Sequence, residues 1–258
     1  ATYTFDYVLY TITFVLDNGQ PNVVKDKYHY GDKIEVPADP VKPATDKYVY
    51  KFTKWTPVLD ETVVADKTFT ANYSCTISEK VEASAGFTLD AATKSLLASA
   101  DKLSVTFVDG SSLVAYIVFD KTAATALVEG ETLTVKKLDI SAVDPAVQDQ
   151  LKGATIWDID FGANNSVFSS GKANVNLHYK RGAADYVGLD FYFVNGDKLD
   201  KLTYTYDTEN DCIVFDTTHF STYAAQNSLS NVNWSEYYPV FIIIAVALAL
   251  FVVIYRFS

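Results

Sequence analysis

Apolar and polar residues alternate along most of the chain, and an unbroken apolar run follows them. A period of two is typical of β-strands that bury one face. Turn residues separate the alternating stretches, and the Asn-Gly pairs at 18–19 and 195–196 are strong hairpin signals. The pattern therefore predicts a mainly β fold, with a small N-terminal module, a larger antiparallel β-sandwich and one C-terminal transmembrane helix.

The same pattern divides the chain into segments. Residues 10–74 form a compact module punctuated by prolines, and residues 75–226 form the sandwich, with many short strands between closely spaced turns. Residues 227–236 are a short polar linker, and residues 237–258 hold the transmembrane helix and a short inner tail. Residues 1–9 alternate ahead of the first module. We predict that this extra strand pairs with an exposed sheet edge, either of its own domain or of a neighbouring molecule.

Three local features predict the roles of individual residues. Trp55 lies in an alternating strand, and we expect it to anchor the small core rather than to form a platform for stacking carbohydrate. Asp90 is a typical N-cap for a helix over Ala91–Ala100. Pro145 precedes a predicted helical turn over Ala146–Lys152.

The apolar run from Val240 to Tyr255 contains no charged residue, Gly or Pro. As a helix it would be about 24 Å long, and with its flanking aromatic residues it reaches the roughly 20 residues usual for a bilayer span. The alternatives are a buried core helix and an apolar helix packed inside a filament. The predicted membrane-anchor residues are Val240, Phe241, Ile242, Ile243, Ile244, Val246, Leu248, Leu250, Phe251, Val252, Val253 and Ile254. The predicted interface aromatic residues are Trp234, Tyr237, Tyr238 and Tyr255.

The net charge and the N-terminal residues indicate which partners the protein binds and where in the cell it lies. The net charge of −11 argues against nucleic acid as a partner, because phosphate binding needs clustered Lys and Arg. The chain has no Met and begins with Ala1. This fits a mature protein that has lost a signal peptide, although a trimmed chain would begin in the same way. With Arg256 on the inner side, the predicted topology is single-pass in the cell membrane, with the N-terminal domains extracellular.

Residues 10–73 contain the successive segments YTITFVLDNG, YHYGDKIEVP, PVKPATDKYVYKFTKWTP and VVADKTFTANY. In this order they resemble one internalin-type B repeat, also called the Listeria–Bacteroides repeat, a β-grasp module of prokaryotic secreted and cell-wall proteins. The resemblance implies a surface-exposed spacer or adhesive module without catalytic residues. That family often occurs in tandem, whereas one copy is found here. The positions that carry the resemblance are Phe14, Tyr30, Gly31, Pro37, Pro43, Phe52, Trp55, Thr68, Ala71 and Tyr73.

The end of the second domain contains the strands YFVNGDKLDKL and LTYTYD, followed by IVFDTTHFSTYAA. The ending Thr-His-Phe-Ser-x-Tyr stands at residues 218–223. This arrangement is similar to the closing hairpins of adhesin-like β-sandwich domains in prokaryotic surface proteins. The similarity implies an extracellular structural domain and no particular activity.

The sequence allows two kinds of covalent modification, a disulfide and N-linked glycosylation. Cys75 and Cys212 either form a disulfide, which an extracellular compartment permits, or remain unpaired buried thiols. A bridge would stabilise the fold by about 4–5 kcal/mol in the chain-entropy model. Asn72, Asn164 and Asn233 each begin an Asn-x-Ser sequon and are candidate glycosylation sites in a cell that glycosylates its surface proteins.

The residues that could take part in catalysis or bind a metal ion are better explained by structural roles. His219 lies among hydroxyl residues, but neither a nucleophile elbow nor a Gly-rich oxyanion loop accompanies it, so we expect it to fix the turn before the last strand. Asp158 and Asp160 share one face of a predicted strand. Paired carboxylates serve glycoside hydrolysis or bind calcium, and a solvated strand face is the simpler interpretation. The acidic turn 207–212 is a candidate for a weak calcium site.

The three histidines lack metal-ligand spacing, so we predict no metal, no cofactor and no enzymatic activity. The sequence favours a membrane-anchored cell-surface protein with a structural or adhesive role in the envelope. Its partners would be the lipid bilayer and other surface or membrane proteins, including copies of itself. One alternative is a subunit of a self-assembling extracellular filament or lattice. Another is an accessory subunit of a membrane complex, packed through Ala245 and Ala249. A hydrolase of cell-wall polymer is a fourth hypothesis.

Overall fold

The structure is a computed structural model that describes residues 8–182 and 188–227. Within these residues the chain is mainly β, as predicted. The strands are β1 (Tyr10–Val15), β2 (Val23–Tyr28), β3 (Tyr48–Thr56), β4 (Lys67–Glu82), β5 (Phe87–Thr88), β6 (Lys102–Asp109), β7 (Ser112–Asp120), β8 (Thr132–Leu138), β9 (Thr155–Asp160), β10 (Ala173–His178), β11 (Leu189–Asn195), β12 (Lys198–Lys201), β13 (Thr205–Asp207), β14 (Cys212–Thr217) and β15 (Thr222–Asn227). The helices are α1 (Ala91–Leu97), α2 (Lys121–Ala126) and α3 (Pro145–Gln148), with 3₁₀ turns at Ile140–Ala142 and Gly162–Asn165.

The described residues fall into two compact units. The first comprises residues 8–136, 159–179 and 204–221, and the second comprises residues 137–158, 180–182, 188–203 and 222–227. Both units are assembled from separate stretches of the chain. Neither unit therefore coincides with a single predicted domain.

The first unit is built on a mixed sheet of nine strands in the order β13-β14-β10-β7-β6-β4-β1-β2, with β3 on the other side of β4. β4 lies parallel to β1 and to β6, and the remaining pairs are antiparallel. Phe69 of β4 lies opposite Phe14, and Ile77 farther along β4 lies opposite Leu103. One strand thus joins the N-terminal module to the strands that follow it.

The domain boundary predicted between residues 74 and 75 falls inside β4, which is 16 residues long. The sequence KTFTANYSCTISEKVE contains neither Gly nor Pro, so nothing in it ends the strand at the predicted boundary. The N-terminal module therefore shares its sheet with the residues that follow, instead of forming a separate sheet.

The core of the N-terminal module is aromatic. Trp55 is 5% exposed, and its ring meets the Phe14 ring edge-on with centroids 5.1 Å apart. The Phe14 ring also stacks on that of Phe69 at 5.4 Å. Such pairs add to the stabilisation that comes from buried area alone. The prediction that Trp55 anchors this core is confirmed.

A second aromatic cluster lies elsewhere in the first unit. The Phe119 ring on β7 lies within 6.1 Å, centroid to centroid, of the rings of Phe161, Phe168 and Phe220.

Aspartates cap the first two helices. Helix α2 begins where the Asp120 carboxylate accepts the Ala123 N–H at 2.8 Å. The prediction that Asp90 caps α1 is also confirmed, since its side chain accepts the Thr93 N–H at 2.7 Å.

The second unit contains antiparallel strands in the order β12-β11-β15-β9. The predicted hairpin turn at Asn195-Gly196 joins β11 to β12, and Gly196 has φ +57 there. The helical turn predicted after Pro145 is present as α3, which begins at Pro145 and is shorter than predicted. The core of this unit consists of Val143, Val147, Leu151, Ile156, Val194 and Ala224.

No helix in residues 8–182 and 188–227 is long and apolar enough to cross a bilayer. The predicted transmembrane segment at residues 237–258 lies outside the described residues. So do residues 1–7 of the predicted first strand and residues 228–236 of the predicted linker.

Gly171 provides a test of packing in the first unit. A Cβ added there would lie against the backbone N of Ala123, 2.7 Å from the Asp120 carboxylate that caps α2. We expect Gly171→Ala to lower the free energy of unfolding by about 1–3 kcal/mol, because the backbone of α2 must move. Urea unfolding measures this. The preceding residue, Ser170, is exposed and provides the control. We expect Ser170→Ala to change the free energy of unfolding by less than about 0.5 kcal/mol. Equal stability of the two variants would contradict the packing described.

Candidate functional site

His219 lies in an exposed turn, and its backbone closes that turn. The Thr217 hydroxyl donates to the His219 carbonyl at 2.6 Å, and the His219 N–H donates to the same hydroxyl oxygen at 3.3 Å. The chain then places Phe220, which is 4% exposed, in the aromatic cluster. His219 therefore belongs to the turn that precedes β15, which is the role the sequence indicated.

Asp158 and Asp160 lie on β9, and each accepts a hydrogen bond that holds the fold. Asp158 accepts a hydrogen bond from the Thr222 hydroxyl at 3.1 Å. Asp160 accepts from the Asn165 side-chain amide at 2.7 Å and from the Gly162 N–H at 3.1 Å. These bonds fix the strand and the 3₁₀ turn that follows it.

The acidic turn at 207–212 is organised by N–H donors. The Asp207 carboxylate accepts from the Asn210 amide side chain at 2.7 Å and from the Glu209 N–H at 2.9 Å. Asp211 accepts from the Tyr206 hydroxyl at 3.0 Å. Because donors rather than oxygen ligands surround Asp207, this turn does not have the arrangement of a calcium site. Across the described residues, no group of three or more His, Cys, Asp or Glu side chains is arranged to hold a metal ion.

A polar cluster that sequence analysis did not identify lies across β7, β10 and β14. Asp216 accepts from the Lys172 ammonium at 2.6 Å and from the Asn174 amide at 2.9 Å, while Asp120 accepts the Lys172 N–H at 3.0 Å. The hydrogen bond from Lys172 lowers the pKa of Asp216 and raises the pKa of Lys172. Both groups are thus held in their charged forms, which suits a solvated ion pair and not proton transfer.

Several carboxylates make stability depend on pH. Hydrogen bonds from Asn210 and from the Glu209 N–H lower the pKa of Asp207 below its ordinary value of 3.8. The folded state therefore binds fewer protons than the unfolded state, so this stabilisation is present above pH 3.8 and is lost as the pH falls through the lowered pKa. We expect Asp207→Asn to be less stable than the wild type at pH 7, and the difference to shrink as the pH falls below 3.8. Urea midpoints at several pH values measure it. A difference that grows on acidification would contradict the sign of the shift.

Of the two alternatives that the sequence left open, the structure has the unpaired thiols, since Cys75 and Cys212 are both free. Cys75 lies on β4 and Cys212 on β14, and the strands β6, β7 and β10 separate them in the sheet. Four steps of about 4.8 Å place the strands β4 and β14 roughly 19 Å apart, whereas a bridge requires Cα atoms within about 7 Å. Alternation of residues along two strands cannot reveal such a separation.

The thiols therefore have a definite expected reactivity. Cys212 is fully buried, and burial raises its pKa to about 12, so we expect the native protein to react with a thiol reagent only through the half-buried Cys75. In denaturant without reductant, we expect both thiols to react, as measured by absorbance on adding a chromogenic disulfide. Cys75→Ser is the matched control and should abolish the native signal. Absence of reactive thiols in denaturant would show a disulfide instead.

The three predicted glycosylation sites differ in their surroundings. Asn164 is fully buried, with its amide bonded to the backbone N–H and carbonyl of Val128, so a glycan at this position is incompatible with the fold. Asn72 is half-buried on β4 and donates to the Thr56 hydroxyl at 2.7 Å. Asn233 lies outside the described residues.

Exposed apolar side chains are concentrated in the N-terminal module. Val58 is 82% exposed and Val36 is 45% exposed. They border two adjoining cavities of about 360 and 540 Å³, which we call the loop groove. Val36 and Leu59 line both cavities, and half of the lining is charged or polar. The first cavity is also lined by Asp39, Phe52, Lys54, Trp55 and Val58, and the second by Lys33, Ile34, Asp60, Glu61 and Thr62.

Two loop segments, together with β3, form the loop groove. The Gly31 N–H donates to the Val63 carbonyl at 2.8 Å, and the Ile34 N–H donates to the Glu61 carbonyl at 3.1 Å. Beyond these bonds the two segments do not continue as paired strands. Pro37 and Pro57 prevent this, because proline lacks the N–H that strand pairing needs. Val36 and Val58, which adjoin these prolines, therefore stay at the surface. Apolar residues beside loop prolines were the sequence signal for this surface.

No family model matches the chain, and searches of curated proteins and of solved structures likewise find no match.

Proposed function

We propose that the protein is a non-catalytic cell-surface protein, held in the membrane by one C-terminal helix and serving a structural or adhesive role. The observation that carries the proposal is the apolar run from Val240 to Tyr255. A helix satisfies its own backbone hydrogen bonds, as the hydrocarbon layer requires. β15 ends at Asn227, so a short polar segment of the sequence separates the β-rich part from the run.

The N-terminal module supports the surface role. Its strands follow the order β2-β1-β4-β3 with β1 and β4 parallel, an arrangement that suits the proposed β-grasp module. The antiparallel strands of the later residues suit the proposed sandwich. Asp158, Asp160 and Asp207 each accept hydrogen bonds that hold the fold. These features favour a scaffold that presents its surface to partners.

Membrane attachment can be tested on the full chain. Arg substitutions at Ile244 and Leu248 place two charges in the apolar run, each costing about 2.5–3.5 kcal/mol at a helix centre. We expect the wild type to stay with membranes after carbonate washing and the double variant to be released. The matched control places both Arg residues in the polar segment, at Ser228 and Ser230, and should stay bound. Release of the wild type, or retention of the Ile244→Arg, Leu248→Arg variant, would refute the proposal.

A second candidate function is a subunit of an extracellular filament or lattice. It is favoured by β3, which pairs with β4 and with no other described strand. An exposed sheet edge is a template for pairing with another chain. Sedimentation separates the candidates: a filament sediments after the lipid has been removed with detergent, whereas an anchored monomer stays in solution. Copurification of unlike proteins at constant ratio would instead indicate an accessory subunit.

A further inference from the structure

We propose that the polar cluster across β7, β10 and β14, together with Lys102 of β6, binds an uncharged saccharide. The proposal rests on the proposed function, because it gives the adhesive role a class of ligand. Saccharide binding and membrane attachment are measured by different experiments, so either can fail alone.

The side chains of the site line one cavity of about 360 Å³ on the nine-stranded sheet. This volume lies within the roughly 300–1,000 Å³ typical of small-molecule sites. The lining residues are Lys102, Val118, Asp120, Lys172, Asn174 and Asp216.

Strand register explains why these residues meet. In the ladders of β7, β10 and β14, Val118 lies opposite Asn174, and Asn174 lies opposite Asp216. Two residues farther along β7, Asp120 lies opposite Lys102 of β6. Because alternate residues of a strand share a face, four neighbouring strands contribute to a single surface.

The charges of the cavity are balanced. Its lining contains the ammonium groups of Lys102 and Lys172 and the carboxylates of Asp120 and Asp216, whereas the whole chain has a net charge of −11. An anion would be repelled by both carboxylates, and a cation would be repelled by both ammonium groups. A neutral ligand avoids both repulsions.

The cavity combines hydrogen-bond donors, acceptors and an apolar contact. Lysine ammonium groups only donate hydrogen bonds, and ionised carboxylates only accept them. A hydroxyl group does both, so a molecule with several hydroxyl groups can use the whole set. Val118 is half-buried in the same lining and offers a surface to the C–H groups of a sugar ring. This combination fits a saccharide better than a phosphate or a metal ion.

A buried amide holds the polar groups in position. Asn176 is 1% exposed, and its amide donates to the Asn174 side-chain oxygen at 2.9 Å. The Asn174 amide nitrogen in turn donates to Asp216 at 2.9 Å, and the Lys172 ammonium donates to the same carboxylate at 2.6 Å. Groups that are ordered before binding lose less conformational entropy on binding, which favours affinity.

Affinity electrophoresis of the full chain, purified in detergent, tests the proposal. The neutral probes are a soluble β-glucan, an α-mannan and a galactan, and polygalacturonate is the anionic comparison. We expect at least one neutral polysaccharide to retard the protein. Its dissociation constant should change little between about 0.1 and about 1 M salt, because the ligand has no charge to be screened.

Single substitutions locate the binding. We expect Lys102→Ala and Asp216→Ala each to weaken binding of the neutral polysaccharide roughly tenfold, because each removes a charged hydrogen-bonding partner. Lys80 is exposed on the same face of the sheet and outside the cavity. Lys80→Ala is therefore the matched control and should bind as the wild type does. Each variant should stay with membranes after carbonate washing, which distinguishes loss of saccharide binding from loss of membrane attachment.

Retardation by none of the neutral polysaccharides would overturn the proposal, and so would equal binding by Lys102→Ala and Lys80→Ala. Because Lys102 is exposed, Lys102→Ala should fold, and it decides the outcome independently of Asp216→Ala. Binding of polygalacturonate alone, strengthened by Asp216→Ala and lost at high salt, would indicate an anion site and would also overturn the proposal.

Discussion

Replacing Phe119 with alanine is expected to lower the free energy of unfolding by about 3–5 kcal/mol. Phe119 is fully buried on β7, and its ring lies 5.6 Å from the Phe168 ring and 5.8 Å from the Phe220 ring, centroid to centroid. Its removal leaves a cavity among side chains that come from separate parts of the chain. These neighbours are held by their own strands and turns, so the cavity cannot close fully.

Urea unfolding of the full chain measures the effect of Phe119→Ala. The matched variant Phe119→Leu keeps most of the volume and should cost less than half as much. Val128→Ala is a surface control in the same unit, since Val128 is 49% exposed, and we expect a change below about 0.5 kcal/mol. A loss of less than about 1 kcal/mol for Phe119→Ala would show that the four rings do not form a close-packed cluster.

Asn164→Ala is expected to destabilise the fold by about 2–5 kcal/mol. The Asn164 amide accepts the Val128 N–H at 2.7 Å and donates to the Val128 carbonyl at 2.8 Å. Alanine removes the partner of both the Val128 N–H and the Val128 carbonyl. The Asn164 side chain that it replaces is fully buried. Unsatisfied buried groups cost more than the net worth of the hydrogen bonds they lose.

The exposed Asn22 provides the control, and we expect Asn22→Ala to change stability by less than about 0.5 kcal/mol. The same geometry has a chemical consequence for the sequons. Mass spectrometry of protein from a glycosylating cell should find no glycan on Asn164. A glycan found on folded protein at this residue, or an Asn164→Ala variant as stable as Asn22→Ala, would contradict the buried position.

Features set by neighbouring residues could be predicted from the sequence. The mainly β class follows from alternation, the β11–β12 hairpin follows from Asn195-Gly196, and the start of α1 follows from Asp90. The core position of Trp55 follows from its place in an alternating strand. Each of these depends on residues within one or two elements of each other.

Features set by distant pairing could not be predicted. Alternation identifies β4 as a strand, but it does not show that β1 and β6 pair with successive parts of it. For the same reason, the strands that separate Cys75 from Cys212 could not be counted. The sequon at Asn164 is a local pattern, whereas its burial depends on Val128. The groove depends on how two loops approach each other, which no periodicity describes.

The length of β4 has a mechanical consequence. Its first part forms a parallel ladder with β1, and its last part forms a parallel ladder with β6. Tension applied to the β1 end of the sheet therefore passes along the continuous backbone of β4 to reach β6. In parallel ladders such a load acts along the strands, so the hydrogen bonds resist shear together instead of peeling apart one by one. The backbone of β4 therefore couples the two ladders mechanically, so that neither can be loaded without the other.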